Sequence, residues 1–373
     1  MTDNSPGGFD VTKLLRPELQ AMPGYVAIEP IDELARRLAI APEQVVKLDG
    51  NENPYGPSPK ALQALAGCRY YHIYPDPLQR EAREALAAYL GVGAEHIILG
   101  TGSDEVMDMI LRAFVRAGDG VINCPPTFGM YPFLTRVVGG RVLDVPRRDD
   151  FSLDLPAIEA AAKQTKVIFI ASPNNPSGNV LPRRELDALL ALELAVVIDE
   201  AYVEFAGESL VGLVPSRWNL FVLRTFSKWA GLAGLRVGYG VFPAAVTETL
   251  MKIKQPYNLN VAAQVAMLAS LADADLLRER VRALLVERER LFAALAAVPF
   301  LAPWPSQANF ILCRVKGGDA GLVWGRLRDR GIMVRHYPDS PLLRDCIRIS
   351  VGLPEHTEAL FGALKEIGGT LGN

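Results

Sequence analysis

The chain has 373 residues, half of them hydrophobic and 22% charged, with 32 Gly and 27 Pro, an ordinary globular composition with room for a large core and a second, smaller domain. Lys and Arg total 39 against 42 Asp and Glu, so the net charge of −3 offers no general attraction to nucleic acid or an anionic membrane, and any anion site must be local. Four scattered cysteines without a CxxC and four histidines without an HExxH argue against a metal site of either kind.

The opening MTDNSPGGFD lacks the basic and apolar regions of a secretory leader, and no apolar run reaches the roughly 18–20 residues of a spanning helix. Few, unclustered cysteines suit a reducing compartment, and a cytoplasmic protein is expected. Residues 1–24 are polar and broken by Pro and Gly, which predicts an arm outside the core. Ile31–Leu38 places Ile31, Leu34, Ala35 and Leu38 on one helical face, and 45–48 reads as a short strand. The segment 49–59, DGNENPYGPSP, has three prolines and two glycines and predicts a rigid loop. Tyr55 within it reads as a turn aromatic as readily as a functional one. Residues 76–90 predict a helix that buries Leu78, Ala82, Ala85, Leu86 and Tyr89.

Residues 96–99 form an apolar strand, followed by GTGSDE and a helical run over 106–115. A strand, a glycine turn and a helix start make an anion site, because unpaired N–H groups and the positive dipole end converge there. Ser103 or Asp104 could equally just cap the helix, and Asp104 and Glu105 by themselves oppose an anion. A further strand over 120–126 ends in prolines, and Phe128 beyond it suits stacking on a heteroaromatic ring as well as it suits core packing. Residues 166–171 read as a strand buried on both faces that runs into SPNNPSG, where Asn175 can present a donor from a proline-stiffened turn.

Residues 194–198 are the next buried strand, and Asp199 at its end points to the crevice where open α/β sheets bind ligands. VVIDEA is close to a Walker B strand, but no GxxxxGK[ST] occurs in the chain. The ATPase reading is therefore dropped, and Asp199 is read as partner to a pyridinium nitrogen. After the strand-like 220–223 comes TFSKWAGLAGLRVGY, residues 225–239, in which Lys228 sits among small, hydroxylated and glycine residues. A desolvated amine loses its proton and attacks aldehydes, of which pyridoxal phosphate (PLP) is the common cofactor. Thr225, Ser227 and Arg236 offer two hydroxyls and a guanidinium for its phosphate. Taken alone, the motif is also compatible with a solvated loop lysine.

The strand-loop-helix alternation from 96 to about 239 predicts an α/β fold, a mostly parallel sheet sandwiched by helices. Ser103, Phe128, Asn175, Asp199 and Lys228 would then meet at the carboxyl ends of its strands. Helices are predicted over 243–254, Val261–Leu271 and 276–298, and a smaller α+β domain follows, with strands at 308–315, 332–335 and 346–351 and helices at 321–330 and from Glu355. The expected division is an arm with part of the small domain (1–48), a large domain (49–272) and a small C-terminal domain (273–373). Arg335 and Arg348 read as surface arginines or, if they face one cleft, as bidentate partners of a carboxylate or phosphate.

In order, NENPYGP, GTGSDE, CPPTFGMY, SPNNPSG, VVIDEAY, TFSKWAGLAGLRVGY and CIRISVG resemble the PLP-dependent aminotransferases of fold type I, and within them the branch acting on histidinol phosphate. The resemblance covers most of the chain and implies that Lys228 bears the cofactor as a Schiff base, that Asp199 pairs with the pyridine nitrogen, and that Tyr202 and Asn175 bond the phenolic oxygen. It further implies that Phe128 stacks on the ring and that Gly102, Ser103, Asp104, Thr225, Ser227 and Arg236 hold the phosphate, with Tyr55 contributed by the second subunit of a homodimer. Tyr25, Arg335 and Arg348, with Asn175, would bind the substrate. The implied reaction is transamination of L-histidinol phosphate with 2-oxoglutarate to imidazole acetol phosphate and glutamate, without metal, nucleic acid or membrane. Other occupants of the same fold are an aromatic-amino-acid aminotransferase, a phosphate-recognising decarboxylase and an inert PLP-fold regulator; the short arm has no room for the last one's DNA-binding domain. The chain departs from the common pattern with Phe at 128 and with His336-Tyr337-Pro338 after Arg335.

Overall fold

A computed structural model describes residues 10–25 and 27–371, so the first nine positions of the expected arm lie outside the described residues. The strands among the described residues are β1 Val46–Leu48, β2 Ile97–Thr101, β3 Gly120–Asn123, β4 Arg141–Asp144, β5 Thr165–Ala171, β6 Ala195–Asp199, β7 Leu220–Thr225, β8 Val237–Val241, β9 Leu301–Pro303, β10 Phe310–Val315, β11 Ile332–His336 and β12 Cys346–Ser350. They form a seven-stranded sheet, β2-β8-β7-β6-β5-β3-β4, and a five-stranded sheet, β1-β11-β12-β10-β9.

β6 and β7 are wholly buried and β5 nearly so, as expected of Val/Ile/Leu/Phe runs with both faces covered. Successive residues feed two cores: Val167, Phe169, Val197, Phe221 and Leu223 pack in one, Ile168, Ile170, Val196, Ile198 and Val222 in the other. β4, β3, β5, β6 and β7 pair in parallel. β8 runs antiparallel to both of its neighbours, β7 and β2. It begins inside the motif 225–239, and the reason for its direction is length: residues 226–236 are too few for the roughly dozen-residue crossover a parallel neighbour requires.

In the smaller sheet β1, from the start of the chain, pairs in parallel with β11, while β12 runs antiparallel to β10 and β11. The loop after β1 reaches the large sheet through Asn51 Nδ2, which donates to Tyr202 Oη at 3.0 Å, and Asn53 Nδ2, which donates to the Trp229 carbonyl at 2.8 Å, and it is also anchored to its own sheet. Asn51 donates its backbone N–H to Ser350 Oγ at 2.9 Å, and Asn309 Nδ2 donates to the Asn51 carbonyl at 3.0 Å, all three residues being buried.

The helices Ile31–Leu38 and Val261–Leu271 have the expected bounds, and the long helix spans Ala274–Ala296. Helices that the sequence reading did not place include Pro59–Gly67, Met130–Val137, Leu155–Ala162 and Arg183–Leu190. Pro59–Gly67 starts inside the proline-rich loop, with Pro59 at its first position and Ser58 Oγ capping Ala61 N at 3.2 Å. Met130–Val137 carries Pro132 in its first turn, where a missing N–H costs nothing. The described part of the arm forms two exposed helical turns, Val11–Leu14 and Pro17–Gln20.

Candidate active site

The carboxyl ends of β2, β3, β5, β6 and β7 share one edge of the large sheet, and a cavity of about 380 Å³ opens there. Ser103, Asp104, Phe128, Asn175, Asp199, Tyr202, Thr225, Ser227, Lys228 and Arg236 all line it. Lys228 and Asp199 thus face a single space, as the sequence reading required.

The Lys228 amine donates to the Gly50 carbonyl at 3.0 Å. Burial lowers its pKa to about 8, with Glu52 opposing and Arg348, Arg236 and Lys47 adding to the shift. Gly50 and Glu52 line the same cavity from the loop after β1, and Lys47 holds Glu52 at 2.7 Å and Asp49 at 2.8 Å. Sequence reading passed over these residues because their role depends on a loop folding back across the sheet.

Asp199 is buried, and burial raises its carboxyl to about pH 6. Its hydrogen bonds come from the Tyr131 hydroxyl, 2.7 Å to Oδ2, and the Ala201 N–H, 3.0 Å to Oδ1. Tyr131 belongs to the unanticipated helix Met130–Val137 and was not among the candidates. Its signal was present in CPPTFGMY, but nothing local marked it as turning toward Asp199.

The start of the helix Gly102–Phe114 lies against β8. A Cβ on Gly238 would come within 2.1 Å of the Ser103 nitrogen, so only glycine permits that approach. Arg236 adopts φ 55°, a left-handed conformation that costs a non-glycine residue about 1–2 kcal/mol. That conformation brings its guanidinium over Gly102, where an added Cβ would meet Nη2 at 2.5 Å, and to Asp104, with Nη2 2.9 Å from Oδ2. Asp104 is therefore neutralised, which answers the objection that it would repel an anion. Gly102 gives its N–H to the Arg236 carbonyl at 3.1 Å, so it contributes space rather than a donor. Thr225 Oγ1 stands 2.9 Å from Ser227 Oγ, at the other side of the same cradle.

Tyr202 receives the Asn51 Nδ2 donor at 3.0 Å, and burial pushes its hydroxyl up to about 12, so it stays protonated. Asn175 Oδ1 accepts from Arg348 Nη1 at 2.6 Å, which leaves the amide N–H groups of Asn175 for the cavity. Arg348, read as a possible surface residue, is buried. It lies opposite Arg335 in the β11–β12 register. Arg335 Cζ stands 5.9 Å from the Tyr337 ring centroid, and the Tyr337 hydroxyl, raised by burial, responds to Arg348, Arg335 and Tyr25 together.

Gly102, Tyr25, Tyr55, Arg335 and Arg348 do not line the cavity. Tyr25 packs edge-on to Phe133 with centroids 6.2 Å apart, and Tyr55 lies under Arg280 at 5.8 Å, 37% exposed.

These groups fit PLP. A buried carboxyl hydrogen-bonded only by neutral donors and an amine hydrogen-bonded to a carbonyl face one cavity, two opposite electrostatic needs that a pyridinium aldehyde meets at once, with hydroxyls and Arg236 for a phosphate. No group of three or more potential metal ligands occurs among the described residues, and no helix there is long and apolar enough to cross a membrane.

The family profile described as "Aminotransferase class I and II" matches residues 43–364. A histidinol-phosphate aminotransferase of Roseiflexus castenholzii is 49% identical over 367 residues, covering 96% of this chain and 99% of its own. A chloroplastic histidinol-phosphate aminotransferase of Nicotiana tabacum is also 49% identical, over 94% of this chain and 86% of its own. The crystal structure of histidinol-phosphate aminotransferase from Sinorhizobium meliloti in complex with pyridoxal-5'-phosphate superposes with a TM-score of 0.87 at 29% identity, covering 99% of this chain and 100% of that one. With the fold, the cavity and these likenesses agreeing, the chain belongs to the class I and II aminotransferases, PLP-dependent enzymes of fold type I, and within them to the histidinol-phosphate aminotransferases.

Proposed function

We infer that the enzyme transfers the amino group of L-histidinol phosphate to 2-oxoglutarate, yielding imidazole acetol phosphate and glutamate in histidine biosynthesis. The observation that carries this reading is the convergence of Lys228 and Asp199 on one cavity in a chain 49% identical to histidinol-phosphate aminotransferases over nearly its full length. Bound there, PLP supplies an electron sink next to the substrate Cα–H bond. Lys228 Nζ, whose pKa burial lowers so that it is half deprotonated near pH 8, would hold the cofactor covalently and, once displaced, would take and return the Cα proton. Asp199 would keep a proton on the ring nitrogen, Tyr202 Oη and Asn175 Nδ2 would bind the phenolic oxygen, and Phe128 would cover a ring face. The phosphate is held by Ser103, Asp104 with its partner Arg236, Thr225 and Ser227, on the space left by Gly102.

Arg335, Arg348 and Tyr25 bind the substrate phosphate in one half-reaction and carboxylates in the other. Support comes from their shared electrostatic reach to Tyr337 and from the Arg348–Asn175 contact, which joins this group to the cavity. A homodimer belongs to the same reading. Tyr55 lies outside its own chain's cavity, where it can serve a neighbour's, and Tyr71, Ile73, Tyr74 and Tyr257, all exposed, line one shallow surface groove. The large unit is taken as 49–272, with 1–48 and 273–373 as the small one, a division supported by the β1–β11 pairing. A cytoplasmic setting suits four unpaired thiols, three of them buried.

The test compares kcat/KM for histidinol phosphate, phenylalanine and threonine phosphate with 2-oxoglutarate as acceptor. Histidinol phosphate should exceed phenylalanine by about tenfold or more, the value of a charge-assisted phosphate contact, and Arg335→Ala should narrow the gap. Equal constants for the first two would make the enzyme an aromatic aminotransferase; carbon dioxide release from threonine phosphate would make it a decarboxylase.

A further inference from the structure

Tyr131 is 1% exposed and has no place among the groups assigned to cofactor or substrate above. Its ring lies nearly parallel to Phe169 of β5, 5.1 Å away at 11°, and edge-on to Phe128, 5.6 Å away at 85°. Thr135 Oγ1 bonds its carbonyl at 2.8 Å, fixing the helix turn that carries it. Between these two rings the hydroxyl meets Asp199 Oδ2 at 2.7 Å.

The direction of that bond follows from the environment. Burial and the Asp199 carboxyl both drive the Tyr131 hydroxyl well above its ordinary pKa, so the phenol is protonated and donates. Oδ1 receives the Ala201 N–H at 3.0 Å from the turn after β6. Two donors from two separate elements therefore fix the plane of the carboxyl. Other charged or titratable groups that act on Asp199 are Asp104, from the helix Gly102–Phe114, Lys228, from the loop after β7, and Tyr202, from the turn after β6. Tyr202 and Arg147 act on Tyr131 itself.

We propose that Tyr131 is a positioning residue for the reaction: by donating to Asp199 while bracing Phe128, it keeps the acid an aligned acceptor for the ring nitrogen and sets the acid and the ring-facing aromatic from a single side chain. The proposal rests on the reading that Asp199 meets that nitrogen. Without the phenol, Asp199 retains one backbone donor in a buried place, holds its own proton more strongly and draws it from the ring. A ring with less positive charge lets the nitrogen linked to Lys228 protonate more easily, so the change is visible in the cofactor's absorbance.

Two measurements on purified protein test this: the pH midpoint of the bound cofactor's absorbance in the holoenzyme, and the affinity of the cofactor-free enzyme for PLP. Tyr131→Phe keeps both ring contacts and removes only the donor. It should raise the midpoint by about half a pH unit or more and weaken PLP binding about tenfold, the worth of a hydrogen bond to a charged group. Phe169→Leu, which loosens the packing but keeps the hydroxyl, should lower Tm and leave the midpoint in place. A Tyr131→Phe enzyme that only loses Tm, with wild-type midpoint and affinity, overturns the proposal. Should Tyr131→Phe fail to fold, 3-fluorotyrosine placed at 131 keeps the ring, strengthens the donor and should move the midpoint downward; an unmoved midpoint again overturns it. Asp199→Ala separates the two claims: if it shifts midpoint and affinity while Tyr131→Phe shifts neither, only the Tyr131 role falls, and if Asp199→Ala shifts neither, the pairing of Asp199 with the ring falls first.

Discussion

Asp199 and Glu200 are neighbours at the end of β6, and both are buried, yet the regions they serve are opposites. Glu200 accepts from Ser209 Oγ and Leu210 N–H, each at 2.6 Å, in a cluster where Arg224 pairs with Glu204 and lies 6.0 Å from the Tyr239 ring centroid. Burial raises Glu200, and Arg224 holds it down. Glu200 too accepts only from neutral donors, but a hydrogen-bonded ion pair, Arg224–Glu204, stands beside it. At the cavity the chain leaves Asp199 without a hydrogen-bonded cation and Lys228 without a hydrogen-bonded carboxylate. A fold that holds a buried ion pair of its own on one side, and on the other an acid and an amine that face one cavity without pairing, marks the second as the place where a ligand completes the pairing.

That contrast can be broken from either side. The largest expected effect is Lys228→Ala, which should cut transamination about 10³-fold or more by removing both the covalent attachment and the proton carrier. It should leave the stability of the cofactor-free protein unchanged or higher, because a desolvated amine is removed. Kinetics and urea unfolding on the same preparation check both halves; a large loss of stability would place Lys228 among the structural charges.

The converse is Arg224→Met. It strands Glu204 and Glu200 without their cation and should cost about 3–5 kcal/mol of stability, with a smaller effect on kcat than Lys228→Ala. A variant of wild-type stability would show that the cluster behind the sheet is no better satisfied by the chain than the cavity is.

The smallest effect sharpens the comparison by pH. Lys228 in the cofactor-free protein has a pKa of about 8 against an ordinary 10.5, because burial disfavours its charge. Unfolded chains therefore bind more protons over that interval, and the lysine's contribution to stability is absent below about pH 8 and gained as pH rises to 10.5. Its acylation by an amine-specific reagent, read by peptide mass spectrometry, should show a midpoint near 8 while surface lysines lag behind. A midpoint equal to theirs would mean that the amine is hydrated.

Much of the site is legible in the sequence. Ser103, Phe128, Asn175, Asp199 and Lys228 each follow an apolar strand, and a parallel sheet gathers strand ends onto one edge. What escaped were residues whose partners are remote: Asn51 on Tyr202, Glu52 beside Lys228, and Tyr131 on Asp199 across 68 positions of chain. The helix carrying Tyr131 was itself missed, and β8 was hidden by the glycines of 225–239.

The sequence by itself determined the buried strands β5 to β7, the turns at their ends and the chemical types presented there, since hydrophobic runs and Gly or Pro punctuation act over a few residues. Only the tertiary structure decided which of those groups would lack a partner of opposite charge, that Asp104 would be neutralised by Arg236, and that Arg348 would be drawn inward to Asn175. Those outcomes depend on the spacing between side chains far apart in the chain and on how much water each retains, and both are set when the loops close over the sheet.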